Sequence, residues 1–306
     1  MVRFRRRRCS PMVVLGAMVL DELVGDPTNR WHPVRWLGVG LSWLEGSVYS
    51  DSRSRGAVFF ALALTPSLLL PTVFSPGGRL LETVGLWFTI GGRSLTREAE
   101  EVARLLELDD LAAARCRLRH LVGRDVEDLG PEEIARATIE SVAENTTDAV
   151  VGPLLWYAVG GLSGAMTFRS INTLDAMVGH KTSRYQRFGF VSAKADDLAA
   201  CPASLLGLAL CWTLSNREGR QRMVSAMARS QLHPSLNAGL IEAAFAGVLG
   251  AELGGVNCYH GISVQTPRFE VGPQPGVGTI RHASRLSRRV AWGSALVAML
   301  AIAAAD

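Results

Sequence analysis

Long uncharged runs alternate along this chain with short, densely polar stretches. Residues 56–78 carry no charged side chain, and neither do 149–168, 198–216 or 290–305. A helix needs about 20 apolar residues to cross the hydrocarbon core of a bilayer; the first three runs meet that length and the fourth approaches it. The stretch 236–257 is apolar apart from Glu242 and Glu252, and 80–92 apart from Glu82, so both read as spans that face protein. Residues 11–20 follow arginines at positions 3 and 5–8 and lead into Asp21-Glu22 with no small-residue cleavage site. They read as a retained first membrane segment with its basic end in the cytoplasm. Pro66 and Pro71 predict a kink in 56–74, which membrane helices tolerate. The pattern predicts five to seven helical membrane segments.

Residues 93–135 have a different rhythm. Thr96 before Arg-Glu-Ala-Glu-Glu reads as a helix N-cap followed by acidic first-turn residues. Asp109 or Asp110 caps a second helix, on which Leu111, Arg115, Leu118 and Leu121 recur at helical spacing, and Gly130-Pro131 opens a third. No run alternates as a strand does. The expected fold is all-α: a polytopic integral membrane protein, one membrane-embedded domain over 1–306, with an amphipathic extramembrane cap at 93–135 and polar motif loops.

Composition agrees. Hydrophobic residues make up 48% and charged residues 20% of the 306, too apolar for a typical soluble enzyme and too polar for a bare bundle. The net charge of +4 is spread along the chain, which argues against a nucleic-acid partner. The five cysteines form no C-x-x-C pair and no zinc spacing. Of 32 basic residues only Lys181 and Lys194 are lysines, and both fall in 169–197, which suggests a need there for a compact ammonium.

The polar stretches concentrate in one region. Glu140-Ser-Val-Ala-Glu144-Asn145-Thr-Thr-Asp148 precedes the uncharged run 149–168, and Asn172-Thr-Leu-Asp175 and Asp196-Asp197 follow it. Carboxyl groups this dense beside a membrane-length run are costly and point to function. On a helix from Pro131 to about Asn145, Arg136, Glu140 and Glu144 share a face. Two carboxylates at i,i+4 repel one another unless a cation lies between them. Mg²⁺, which favours a few carboxylates plus substrate phosphates, answers that need, with Glu140, Glu144 and Asp148 as its ligands. Glycines at 152, 160, 161 and 164 and Pro153 disfavour an unbroken helix over 149–168. The expectation is a re-entrant hairpin that brings the flanking motifs together on the cytoplasmic side.

The wording of these stretches resembles the adenosylcobinamide-phosphate synthase family (CbiB/CobD). The likeness is carried by Ala137–Asp148, Ile171–Lys181, Arg184–Gly189 and Ser192–Leu198. Leu20–Pro27 with His32-Pro-Val-Arg35, and His233–Gly239 with Leu253-Gly-Gly255 and Tyr259-His-Gly261, extend it over roughly residues 13–280. The resemblance implies a multi-pass enzyme of the cell membrane. It is expected to join adenosylcobyric acid to an amino-alcohol phosphate such as aminopropanol phosphate in an ATP-dependent, amide-forming ligation. Membrane lipid and other late enzymes of the cobalamin pathway are the implied partners. An uphill amide bond needs an activated acyl group, so an acyl phosphate is the natural intermediate, with ATP and Mg²⁺ required. No P-loop sequence occurs.

In that light Glu140, Glu144, Asp196 and Asp197 are the candidate catalytic carboxylates, and Asp196, Asp197 or His180 the candidate bases for the amine. Lys181, Arg184 and Arg187 are candidates for holding phosphate. Asn145 and Asn172 are candidates for orienting substrate amides. Asp26, His32, Arg35, Asp175, Lys194 and Asn237 complete the candidate binding set. The chain departs from the family at His180, where tyrosine is usual, at Lys194, where arginine is usual, and around Pro202, which lacks the family's preceding asparagine and following arginine. Other classes compete: an AmpE-like membrane sensor shares the architecture, and a small-molecule transporter fits the apolar runs. A transporter, however, would place its polar residues inside broken spans at the midplane.

Overall fold

A computed structural model describes residues 9–26, 33–74, 78–180, 182–259 and 261–305. The fold is all-α apart from one small hairpin, and four helical stretches are long and apolar enough to cross a membrane: Arg53–Pro71, Pro131–Val178, Phe190–Leu214 and Val277–Ala305. Where the sequence suggested one domain, the chain forms two compact units. The first comprises 1–91, 148–202 and 294–306, and the second comprises 92–147 and 203–293.

The first unit holds α1 (Pro11–Val24), α2 (Pro33–Val48), α3 (Arg53–Phe74), α4 (Gly78–Trp87), α8 (Gly152–Val178) and the start of α9 (Phe190–Leu214). α3 runs on as one helix through Pro66 and Pro71. Its core is aromatic: Phe59 and Phe188 are fully buried with ring centroids 5.1 Å apart, and the Tyr49 ring meets Phe188 at 5.2 Å, tilted by 55°. Leu41, Leu174 and Val178 close that cluster.

α8 is two limbs. Gly161 has φ 65° and ψ −156°, a backbone state open only to glycine, and the helix breaks there. The limbs fold back on each other so closely that a β-carbon on Gly152 would overlap the Phe168 ring, and one on Gly164 the Trp156 carbonyl. In a straight helix residues 152 and 168 would lie about 24 Å apart. The hairpin expected from the glycine pattern is present.

A π turn, Thr147–Val151, leads into α8. Pro153 follows and has no N–H for the carbonyl four residues back. That carbonyl, on Ala149, accepts instead from the Gly91 amide at 3.0 Å.

The second unit holds α5 (Gly92–Glu107), α6 (Leu111–Leu118), α7 (Pro131–Thr146), α10 (Arg217–Ser230), α11 (Leu236–Leu249) and most of α12 (Val277–Ala305). Asp110 rather than Asp109 caps α6, accepting from Ala113 N at 3.0 Å. Thr96 is not a cap. α5 begins earlier, at Gly92, and the Thr96 hydroxyl donates back to the Gly92 and Arg93 carbonyls. Strands β1 (Val256–Tyr259) and β2 (Ile262–Gln265) pair antiparallel, Val256 opposite Gln265. Four residues each is too short for alternation to show in the sequence.

Candidate functional site

Each unit gathers one polar cluster. In the second unit it centres on Glu140, whose side chain is 3% exposed in the middle of α7. Arg124 donates to Glu140 Oε2 at 2.6 Å, and Arg136 Nη1 and the Gly254 amide donate to Oε1 at 3.2 and 2.8 Å. The two guanidiniums also share the Asn257 side-chain oxygen, at 2.6 and 3.1 Å, and Arg136 reaches the Gly254 and Val256 carbonyls. Gly254 has φ 80°, and a β-carbon there would overlap the Pro267 carbonyl, so the Leu253-Gly-Gly255 motif exists to bring a backbone amide onto Glu140.

This arrangement supplies Glu140 with cations of the chain's own. The positive charge demanded by carboxylates at i,i+4 comes from Arg124 and Arg136, and both oxygens of Glu140 are taken. Glu140 is the anion of a buried ion-pair network, with three donors on its two oxygens. Glu144, one turn on, is exposed.

On α11, which packs against α7 and α10, Glu242 is 7% exposed, and His233 Nε2 lies 3.8 Å from its Oε2. The His233 ring is seated on Gly239, where a side chain would collide with it, and Nδ1 is 2.7 Å from the Ser235 carbonyl. Burial holds the imidazole below its usual pKa range.

In the first unit the base of the hairpin forms the second cluster. Asn172 Nδ2 donates to Asp148 Oδ2 at 3.0 Å, so residues on either side of the 149–168 run touch. Asp148 stands on the π turn, a feature that frequently marks functional sites. Asn172 also bonds Asp196, to which Asp148 and Asp175 lie close enough to exert Coulomb repulsion, and Asp196 Oδ1 is buried with no hydrogen-bond partner. Arg169, one helical turn before Asn172, feels Asp148 and Asp26, its Nε is buried without a partner, and its Nη1 is 3.4 Å from Asn172 Oδ1. Asp26 packs beside Gly91. The carboxylate of Asp175 rests where a side chain on Gly179 would sit.

Asp26, Asp148, Asn172, Asp175 and Asp196 are therefore brought together. The other expected residues are placed elsewhere. Asp197 pairs with Lys194 at 2.6 Å on an exposed turn. Asn145 turns back on its own helix to the Ser141 carbonyl. Arg184 pairs with Glu45 at 3.0 Å and stacks over Tyr49, and Arg187 faces Asp51 at 3.7 Å. The His180 ring meets the Ala176 carbonyl, and Asn237 lies in the first turn of α11. His32 and Lys181 fall outside the described residues, as does the side chain of Arg35. Arg124, Arg169, Glu242 and Asn257 were missed. Two of them carried a visible signal, Arg169 as the first charge after the uncharged run and Glu242 as a charge inside an apolar one.

Among the described residues no three histidine, cysteine or acidic side chains converge on a ready metal position. The donors at Asp148, Asp175 and Asp196 are hard oxygens and Asp196 Oδ1 is unpaired, a set that suits a divalent ion arriving with its own phosphate ligands.

The fold and its carboxylate-lined hairpin define an all-α polytopic membrane protein with a polar site at the base of a re-entrant helix. Residues 14–287 match the family model described as CobD/Cbib protein, and the chain belongs to that family. It is 39% identical over 297 residues to the cobalamin biosynthesis protein CobD of Mycobacterium tuberculosis, covering 94% of this chain and 95% of the relative. It is 36% identical over 306 residues to cobalamin biosynthesis protein CbiB of Salmonella arizonae, with 94% and 95% covered. With the CobD of Pelobacter propionicus it shares 40% over 268 residues, 82% of each chain. No solved structure matches it.

Proposed function

We propose that this chain acts in cobalamin biosynthesis, as its relatives are named to do, and that it forms the amide bond between adenosylcobyric acid and an amino-alcohol phosphate with ATP as the energy source. The observation that supports this most is the Asn172–Asp148 contact at 3.0 Å, which collects Asp148, Asn172, Asp175 and Asp196 from three separate motifs at one place. A family resemblance in words thus becomes a cluster of groups that share one chemistry.

Four carboxylates against one arginine leave an excess of negative charge at the hairpin base. Such a set repels a bare phosphate and welcomes one neutralised by Mg²⁺. Asp196, with its unpartnered Oδ1, would be the first protein ligand to an ion that arrives on the phosphate, with Asp148 and Asp175 adding negative charge nearby, and the ion when bound would offset phosphate charge. Asn172 bonds both Asp148 and Asp196 and fixes their spacing. Arg169 Nε–H, buried and without a hydrogen-bond partner, would donate to a carbonyl or phosphate oxygen of the substrate. The substrate carboxylate attacks the terminal phosphorus of ATP and ADP leaves. The amine then attacks the acyl carbon and phosphate departs. Lys181, by the resemblance, supplies an ammonium to a phosphate.

The test is direct. Purified protein in lipid is incubated with adenosylcobyric acid, ATP, Mg²⁺ and aminopropanol phosphate, and the product is sought by mass spectrometry. Formation of the amide, absent without ATP, is the expected result. A corrinoid of unchanged mass, with no phosphate released, refutes the activity.

A further inference from the structure

The helix α12 is written in two halves. Its first half carries Arg281, Arg285, Arg288 and Arg289 and no acidic residue, and residues 290–305 carry no charge at all. One face shows both halves at once. Arg281, Arg285, Arg289, Trp292, Leu296 and Leu300 follow at steps of three or four residues, and all are exposed. The opposite face, with Ile280, Val290 and Ile302, is buried. The exposed stripe therefore changes from guanidinium to aliphatic at Trp292.

The cations nearest that step are not consumed by the fold. Arg281 pairs with Glu107 at 2.6 Å and Arg288 with Glu100 at 3.4 Å, both on α5. Among the described residues Arg285 and Arg289 have no carboxylate partner. Arg285 Nε donates to the Arg281 carbonyl at 3.3 Å, which occupies one of its five N–H groups. A β-carbon on Gly293 would overlap the Leu210 side chain, so α9 packs against α12 here and brings the exposed Trp212 close to the step. Arg220 lies over the Trp212 ring, 5.6 Å from its centroid. Glu218, the acidic residue of α10, is paired with Arg222.

A division this sharp is that of a bilayer surface. An indole is at home where hydrocarbon meets headgroups, and arginine above it meets phosphate through paired N–H groups. From Arg289 to Leu300 the helix rises about 16 Å, close to half of a hydrocarbon core of about 30 Å and so to the depth of one leaflet.

We propose that this face of α12 is a site for an anionic phospholipid: Arg285 and Arg289 hold the headgroup phosphate, Trp292 marks the boundary, and an acyl chain lies along Leu296 and Leu300. The assignment is independent of the reaction proposed above. The test uses full-length protein in detergent, titrated with phosphatidylglycerol or phosphatidylcholine of the same chains and read by native mass spectrometry. Native protein should hold phosphatidylglycerol the more tightly. Arg285→Gln combined with Arg289→Gln should weaken it about 25-fold, about fivefold for each arginine near an anionic headgroup, and leave phosphatidylcholine unmoved. Arg285→Lys with Arg289→Lys should restore most of the loss, and added salt should erode the preference. Arg119→Gln with Arg229→Gln, which removes the same charge from exposed ion pairs elsewhere on the second unit, should change nothing. In vesicles of brominated phosphatidylcholine, Trp292 emission, taken against Trp292→Phe, should be quenched more by bromine near the ester carbonyls than by bromine at the chain ends. Equal retention of the two lipids, a glutamine variant that keeps the preference, an equal loss in the control, or stronger quenching from the chain ends overturns the proposal. Inorganic phosphate that displaces the lipid at equal concentration would mark a free-anion site and overturns it as well.

Discussion

Replacing Glu140 by glutamine separates the two roles a buried carboxylate can have on α7. Glu140 is 3% exposed, and Arg124 and Arg136 are 9% and 12% exposed. Removing the anion leaves two guanidiniums facing the Asn257 oxygen and two carbonyls, all neutral. Breaking a buried ion pair by deleting one partner costs about 3–5 kcal/mol. The Gly254 amide keeps an acceptor in the glutamine oxygen, so no further buried donor is orphaned. For a chain of this size ~1 kcal/mol moves Tm by about 2 °C, which predicts a fall of roughly 6–10 °C. Thermal unfolding of the protein in detergent, followed by tryptophan fluorescence without added Mg²⁺, measures it. Combining Glu140→Gln with Arg124→Gln should be milder than the sum of the singles by about 1–3 kcal/mol, since each removes the other's unpaired charge. A metal clamp makes the opposite forecast: neutralising Glu140 would relieve repulsion from Glu144 and raise Tm without metal. A Glu140→Gln protein that melts at or above the native temperature would refute the ion-pair reasoning.

Three further outcomes are expected. Asp196→Asn should abolish amide formation, by about 100-fold or more, yet leave Tm unchanged or higher, because it removes repulsion from Asp148 and Asp175; a large fall in Tm would show the carboxylate to be structural. Cysteines placed at 148 and 172 should be bridged by a short bifunctional thiol reagent, since the native side-chain tips meet at 3.0 Å, whereas a straight helix would hold them about 36 Å apart, and failure to bridge would refute the hairpin. Phe188→Ala, at a fully buried ring packed on Phe59 and Tyr49, should destabilise by about 3–5 kcal/mol in a chemical-denaturation assay, whereas a change under 1 kcal/mol would mean that the aromatic cluster repacks.

The helical fold and the broken hairpin were legible because both are written locally. Uncharged runs set helix length, and Gly160, Gly161 and Gly164 sit where a helix must end and its limbs must touch. The acidic residues of the first cluster were legible as motifs. Their grouping followed once the hairpin was inferred. Partners far apart in sequence were not. Arg124 lies in a connection before α7 and meets Asn257, 133 residues on, and periodicity within an element cannot show such a meeting. That is why the spacing of Glu140 and Glu144 suggested a metal where the fold supplies arginine. Glu242 looked like a blemish in an apolar run because its histidine precedes the helix. The π turn left no pattern beyond Pro153, whose missing N–H shows only in the bond between Ala149 and Gly91.

The return of α8 at Gly161 also resets the bookkeeping of sides. The four apolar helical stretches, taken as rods, would make four crossings, but α8, inside one of them, turns back on itself. Its limbs of nine and 17 residues would rise only about 14 and 26 Å, short of a bilayer core of about 30 Å. Apolar length alone counts this stretch as a single rod, whereas the return at Gly161 leaves both ends of α8 at the same end of the helix pair.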